Sequence, residues 1–392
     1  MTVDHITLDF FRNYVHLEAD FHPRVNVIVG DNAQGKTNLL EAVAYLSGAS
    51  SHRARYDREM IQFGVDSAFL KGEVSSGGRS YTLEADLFRG SRRQLRSNGV
   101  RLKTAAELSD ILNTVLFCPE DLFLIKEGAA ARRRFLDDCI SQLRPRYAAA
   151  LAEYKKLYEH KIRILRDSEE KPSLLDTLDD FSLRMAQCGA ILIHYRAHFI
   201  KRLREIVPAI HADCSGGRET LTLRYETVST VTDPEAQPRD LLPQLLVHQE
   251  AHRAAEIASR QCLSGPHKDD VAVNIDGNPA KTFASQGQTR TAALALKLAA
   301  REVFKGDTGE WPVLLLDDVL SELDQRRQEF VLNRITSGQV FITCCEVASC
   351  ICIWDSPWSY PTMRSSVFLI WTTQAGLSAP GSFWTGRRRR GW

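Results

Sequence analysis

No stretch of this 392-residue chain approaches 18 consecutive apolar residues, so a membrane span is not expected. The opening Met1-Thr-Val-Asp-His-Ile has no basic segment followed by an apolar core, so no secretory signal is read there. Net charge is almost absent. Fifty basic and 49 acidic side chains leave a formal +1, which excludes a polycationic tail protein. Lysine is scarce, 13 against 37 arginines. The nine cysteines lack metal-ligand spacing: Cys344-Cys345 are adjacent and Cys350-x-Cys352 stands alone. Reduced thiols in a cytoplasmic protein fit that pattern. What is present is an ordinary globular mix, 44% hydrophobic and 25% charged, which argues against wholesale disorder. The length suits two domains, or one large domain with an insertion.

Residues 1–30 alternate like paired strands: His5-Ile-Thr-Leu-Asp-Phe, Val15-His-Leu-Glu-Ala-Asp-Phe and Val25-Asn-Val-Ile-Val. A glycine-containing loop and a helix from Thr37 to Leu46 follow. Alternation returns over 67–102, with Asn98-Gly99 as a hairpin turn. From about 104 to 210 the pattern is helical, punctuated by Pro172 and Pro208. A strand and loop are expected over 215–240 and a helix over 241–262. Val271-Ala-Val-Asn-Ile then turns at Asp276-Gly277. A helix over 289–304, the strand Val313-Leu-Leu-Leu, a helix from Asp324 to Ile335 and the strand Gln339-Val-Phe-Ile-Thr close the pattern. This order predicts an α/β protein whose parallel sheet is interrupted by a helical insertion. The expected divisions are 1–103, 104–262, 263–346 and a tail, 347–392.

Gly30-Asp31-Asn32-Ala33-Gln34-Gly35-Lys36-Thr37 matches G-x-x-x-x-G-K-[ST], the phosphate-binding loop. Glycines let the backbone curl so that successive N–H groups face phosphates, and the helix that starts here adds its positive end. Lys36 is expected to reach the β- and γ-phosphates of ATP, and the Thr37 hydroxyl to ligate Mg²⁺. Val313-Leu-Leu-Leu-Asp317-Asp318 reads as a buried parallel strand ending in carboxylates, where α/β sheets bind ligands. Asp317 is the expected metal-side carboxylate, acting through the ion's water shell, and Asp318 the base for the attacking water. Phe283-Ala-Ser285-Gln-Gly287-Gln288-Thr-Arg290 stands directly before a helix and offers a second phosphate-friendly helix start. A chain with two such starts and one carboxylate strand makes sense if the second reaches another protomer's nucleotide. Ser321-Glu-Leu-Asp324 reads either as an ordinary helix cap or as part of that set.

Together these segments resemble the ABC-type ATPase head shared with SMC-like proteins and, more closely, the bacterial RecF family. Phe11-Arg-Asn-Tyr14, Leu39-Leu-Glu-Ala-Val, Phe117-Cys-Pro-Glu-Asp-Leu-Phe-Leu-Ile-Lys126, Arg132-Arg-Arg-Phe-Leu-Asp137 and Leu263-Ser-Gly-Pro-His-Lys-Asp-Asp270 carry the resemblance further. It runs from about residue 3 to Glu346. The resemblance implies an ATPase head with a helical second lobe, an ATP-dependent homodimer, and binding to duplex and gapped DNA. It also implies work with RecO and RecR in placing RecA, in recombinational repair and replication maintenance. Ser285, Gly287 and Gln288 become the signature that completes a partner's ATP site. Arg12 and Tyr14 are expected near the adenine, and Pro119-Glu-Asp as the lever between lobes. His267 could be structural or functional. The alternative is an SMC-like or other ABC-type ATPase not tied to DNA gaps. A transporter ATPase is disfavoured by the 248 positions between Thr37 and Ser285, and a chromosome organiser by the lack of long heptads.

For DNA, residues 89–103 hold Arg89, Arg92, Arg93, Arg96, Arg101 and Lys103 with no acid, a hairpin suited either to phosphates or to plain solvation. At least one of Arg132 to Arg134 is expected to pair with Asp137 or Asp138. The tail departs from the resemblance. Residues 347–392 hold one acid, five arginines, no lysine and five of the six tryptophans; without them the formal charge is −3. It reads as out-of-frame translation, with a lineage-specific extension or a basic DNA-touching terminus as the rivals.

Overall fold

The computed structural model describes residues 1–320 and 323–345, and the backbone of Val367–Ile370. The chain forms two compact units, Met1–Glu120 with Ala300–Trp392, and Asp121–Ala299. These divisions fall at 120/121 and 299/300, where the order of strand-like and helical segments suggested 103/104 and 262/263.

The first unit opens with β1 (Thr2–Phe11), β2 (Tyr14–Asp20) and β3 (Val25–Val29), followed by α1 (Lys36–Gly48). Next come β4 (Ser67–Ser76), β5 (Arg79–Phe88), β6 (Gln94–Ser97), β7 (Val100–Arg101), α2 (Ala106–Ser109) and β8 (Thr114–Phe117). The turn between β6 and β7 has Asn98 and Gly99 both at positive φ, 49° and 76°, as a two-residue hairpin requires. β8 lies in a stretch whose pattern read as helical. A four-residue apolar run carries no period of its own, and pairing decides its state.

The second unit holds α3 (Phe123–Lys126), α4 (Ala129–Leu143), α5 (Pro145–Asp167), α6 (Leu178–Ser215), β9 (Leu221–Glu226) and α7 (Pro238–Ser259). It continues with β10 (Asp270–Ile275), β11 (Asn278–Pro279), α8 (Ala280–Phe283) and α9 (Gln286–Thr308), within which the division falls. Pro208, expected to end a helix, lies inside α6. A long helix with a buried stripe tolerates the loss of one backbone bond. Ala186, Ala190 and Ile193 of α6 pack on Leu241 and Leu245 of α7. The strands form a three-stranded antiparallel sheet in the order β11-β10-β9.

The chain then completes the first unit with β12 (Val313–Leu316), α10 (Gln325–Arg334), β13 (Val340–Cys344) and β14 (Val367–Ile370). Two sheets result. One is antiparallel, β2-β1-β4-β5-β6-β7; the other is parallel, β14-β3-β13-β12-β8. Every residue of β3, β12 and β13 is buried, as unbroken apolar runs in a parallel sheet should be. Leu39, Leu40, Val43 and Leu46 of α1 share one core with residues of both sheets, among them Leu8, Leu70, Val313 and Phe341. The loop before α1 and the end of β12 thus emerge from one rigid layer.

Candidate nucleotide site

The loop between β3 and α1 is built to expose its backbone. Ala33 and Gly35 take positive φ, 66° and 102°. Such alternation turns successive N–H groups toward one concavity. Gly35 has no room for a side chain: a Cβ there would lie 2.6 Å from Asn13 Oδ1 and 2.9 Å from the Tyr14 hydroxyl. Lys36 is buried, and its Nζ donates to the carbonyls of Gly30 (2.6 Å) and Asp31 (2.9 Å), folded back across its own loop. The Asp31 N–H donates to Gln34 Oε1 at 3.1 Å.

Arg12 and Tyr14, expected near an adenine, both bond to the loop–helix segment that follows β3. Tyr14 donates to the Gly35 carbonyl at 2.8 Å, and burial pushes its hydroxyl well above the usual tyrosine range. Arg12 grips the fully buried Glu41 of α1 with two nitrogens, at 2.9 and 2.6 Å. Burial works to raise the Glu41 carboxyl. Hydrogen bonds from Arg12 and Ser51, with the charges of Arg12 and His52, prevail and hold it below its ordinary value. Asn13 Nδ2 donates to the Gln34 carbonyl at 3.2 Å, so the Phe11–Tyr14 segment shapes the phosphate loop.

The acidic strand meets this loop. Asp317 Oδ1 accepts from Thr37 Oγ1 (3.0 Å) and from Thr343 Oγ1 (2.8 Å), and Thr343 Oγ1 accepts the Asp318 N–H (2.8 Å). Burial pushes the Asp317 carboxyl above its ordinary value, against the hydroxyls of Thr343 and Thr37 and helped by Asp318 and Glu120. Asp318 sits at φ 51°. Cys345 Sγ lies 2.9 Å from Asn32 Oδ1 and 3.9 Å from Lys36 Nζ. One hydroxyl and one buried carboxylate 3.0 Å apart are hard oxygen donors of the kind Mg²⁺ takes beside phosphate and water. Among the described residues, no cluster of three or more His, Cys, Asp or Glu forms a protein-only metal cage.

In the second unit, Ser285 and Gln288 cap α9 reciprocally. The Gln288 N–H donates to Ser285 Oγ (3.2 Å), and the Ser285 N–H to Gln288 Oε1 (2.8 Å). Gly287 lies in the first turn, where its carbonyl accepts from Thr291 Oγ1.

Residues 2–350 match the model of the RecF/RecN/SMC N terminal domain. A DNA replication and repair protein RecF of Agathobacter rectalis is 41% identical over 345 residues, 88% of this chain and 92% of that one. The chain belongs to the RecF family. Two solved structures of the recombination mediator protein RecF in the RecFOR pathway are similar throughout. The one with ATPrS has a TM-score of 0.83 at 32% identity, covering 89% of this chain and 93% of that one. The one with ATP has a TM-score of 0.80 at 30% identity, covering 94% and 97%. The ABC-type ATPase head expected from the motifs is the fold found.

The other motifs of this RecF-family chain have mixed fates. His267 is fully engaged: Nδ1 accepts from the Tyr154 hydroxyl (2.7 Å) and Nε2 donates to the Cys262 carbonyl (3.0 Å). Burial, chiefly, lowers its pKa to about 4, so it is a neutral structural tie. Arg134 pairs with Asp138 at 4.0 Å as expected, while Arg132 binds Asp270 at 2.5 and 2.9 Å. The hairpin arginines are mostly consumed. Arg93 bonds Asp57 and the Ala49 carbonyl, Arg96 pairs with Glu84 and Asp86, and Arg89 donates to the carbonyls of Val65, Ile61 and Gln62. Arg92 and Arg101 remain exposed. Ser321 and Glu322, Glu346 and most of the 347–392 tail lie outside the described residues.

Sequence reasoning missed Asn13 as a loop-shaping residue, Glu41 as the anchor of Arg12, and Thr343 as the tie between the two aspartates. Asn13 sat inside a quoted motif. Thr343 had no signal beyond ending an apolar strand.

Proposed function

We propose that this chain binds and hydrolyses ATP as a dimerisation switch on DNA, in recombinational repair and replication maintenance. It acts in the cytoplasm with RecO and RecR on duplex and gapped DNA, assisting RecA loading. The observation that carries the reading is the single cluster of Lys36, Thr37, Asp317 and Asp318 on one rigid layer, in a chain of the RecF family.

In this reading the Gly30–Thr37 backbone and Lys36 bind the triphosphate. Lys36 exchanges the carbonyls of Gly30 and Asp31 for phosphate oxygens. Thr37, and Asp317 through the ion's water shell, would hold Mg²⁺, which would supply charge neutralisation at the phosphates. Asp318, fixed through its N–H to Thr343, accepts the proton of the attacking water. Ser285 spends its oxygen as a cap acceptor and keeps its hydroxyl proton. With Gly287, Gln288 and the first N–H groups of α9, it offers donors to a triphosphate held by a second copy. Binding across two copies favours the dimer, and hydrolysis releases it.

Sedimentation with ATP tests this. Asp318→Asn should accumulate an ATP-bound dimer, and Ser285→Arg should bind ATP yet stay monomeric. A chain that remains monomeric under a saturating non-hydrolysable analogue refutes the switch. ATP turnover indifferent to duplex and gapped DNA refutes its link to DNA.

A further inference from the structure

The segment after α1 carries Arg53, Arg55, Tyr56 and Arg58, then the acids Asp57 and Glu59 are accounted for internally. Asp57 accepts from the Tyr45 hydroxyl (3.0 Å) and Arg93 (3.1 Å), and Glu59 Oε2 from the Arg55 N–H (2.9 Å). Arg53 is drawn to Asn38 at 3.0 Å and Glu41 at 3.9 Å. Arg55 and Arg58 are different. Both are exposed, both guanidiniums lie by the Tyr56 ring, 5.3 and 4.8 Å from its centroid, and no carboxylate pairs with either among the described residues. Tyr56 is itself 47% exposed. Arg92 is exposed next to Arg93, whose contact with Asp57 brings the start of β6 to this loop.

The loop is also stiff. Ser51 Oγ accepts the N–H groups of Arg53 (3.0 Å) and Ala54 (2.8 Å). Arg12 donates its N–H to the Met60 carbonyl (2.7 Å) and its guanidinium to that of Glu59 (2.8 Å). Guanidiniums resting on an aromatic ring keep their planar fork while losing little entropy on binding. Several unpaired forks spread over two exposed segments suit a repeating phosphate backbone, whereas a small anion calls for a concave, enclosed site.

We infer that Arg55 and Arg58, resting by the Tyr56 ring, together with the exposed Arg92 next to Arg93, form the DNA-phosphate contact of this chain. The inference rests on the reading that the chain binds DNA, and moves the contact away from the paired arginines of the 89–103 hairpin. The test is DNA affinity against salt for the full chain with ATP. Each lost phosphate contact lowers the log–log slope by about 0.9 on duplex DNA. R55A/R58A should therefore lose about 1.8 from the slope, so that its affinity falls about 12-fold less than wild type between 50 and 200 mM salt. R92A should lose about 0.9. ATP affinity and melting temperature should match wild type in both. Y56F should keep the slope. An unchanged slope in R55A/R58A overturns the inference, as does a slope that falls only in R101A. Wild type that fails to bind DNA removes the underlying reading instead.

Discussion

Removing Arg12 probes how the phosphate loop is supported. Glu41 is fully buried in α1, and Arg12 supplies two of its hydrogen bonds. Arg12→Ala would leave a buried carboxylate without its main partner, a loss of about 3–5 kcal/mol for broken buried pairs. Arg53 at 3.9 Å and the Ser51 hydroxyl remain, so a cost near the lower end, about 3 kcal/mol, is expected. The pH dependence has a definite sign. In the wild type Glu41 lies below its ordinary 4.5, so its contribution is present above that pH and is lost as pH falls through the folded value. In Arg12→Ala burial is opposed by less, the carboxyl rises, and the neutral form is favoured. The deficit against wild type should thus narrow as pH falls through the variant's raised value toward pH 4. Glu41→Gln added to Arg12→Ala should recover about 2 kcal/mol, since the uncompensated charge is gone. Urea unfolding of the three proteins across pH measures all of this. A deficit under about 1 kcal/mol, or one constant with pH, would refute the assignment of Glu41 as a buried, Arg12-dependent charge.

Gly35→Ala should abolish ATP binding in a direct titration, because φ 102° and the approach of Asn13 and Tyr14 forbid a side chain. Retained affinity would mean the loop is softer than described. Thr343→Val removes the hydroxyl that stabilises the Asp317 carboxylate, so that group should titrate higher still. A carboxyl NMR titration of the metal-free protein checks the shift, and an unmoved titration would separate Thr343 from Asp317. His267, lowered from 6.5 to about 4, should cost stability as pH falls through that window, up to about 3 kcal/mol. A His267→Gln variant whose unfolding shows the same loss between pH 6.5 and 4 would refute this.

What the sequence determined by itself was the chemistry carried on short spans. The phosphate loop, the acidic strand and the Ser285–Gln288 cap each place their groups within a few residues, where backbone turn, strand period and helix start are local properties. The Asn98-Gly99 hairpin was legible for the same reason. Tertiary structure decided what those spans meet. Thr37 and Asp317 are 280 positions apart and share one hydrogen bond. The arginines of the 89–103 hairpin read as suited to phosphates or to solvent, and two of them became ion-paired once strand pairing set Arg96 beside Glu84 and packing set Arg93 beside Asp57. Likewise β8 had no period strong enough to declare itself until β12 lay alongside it. Periodicity reports on neighbours along the chain. Which charge is paired, and which carboxylate is buried, depends on approaches that only the folded layers bring about.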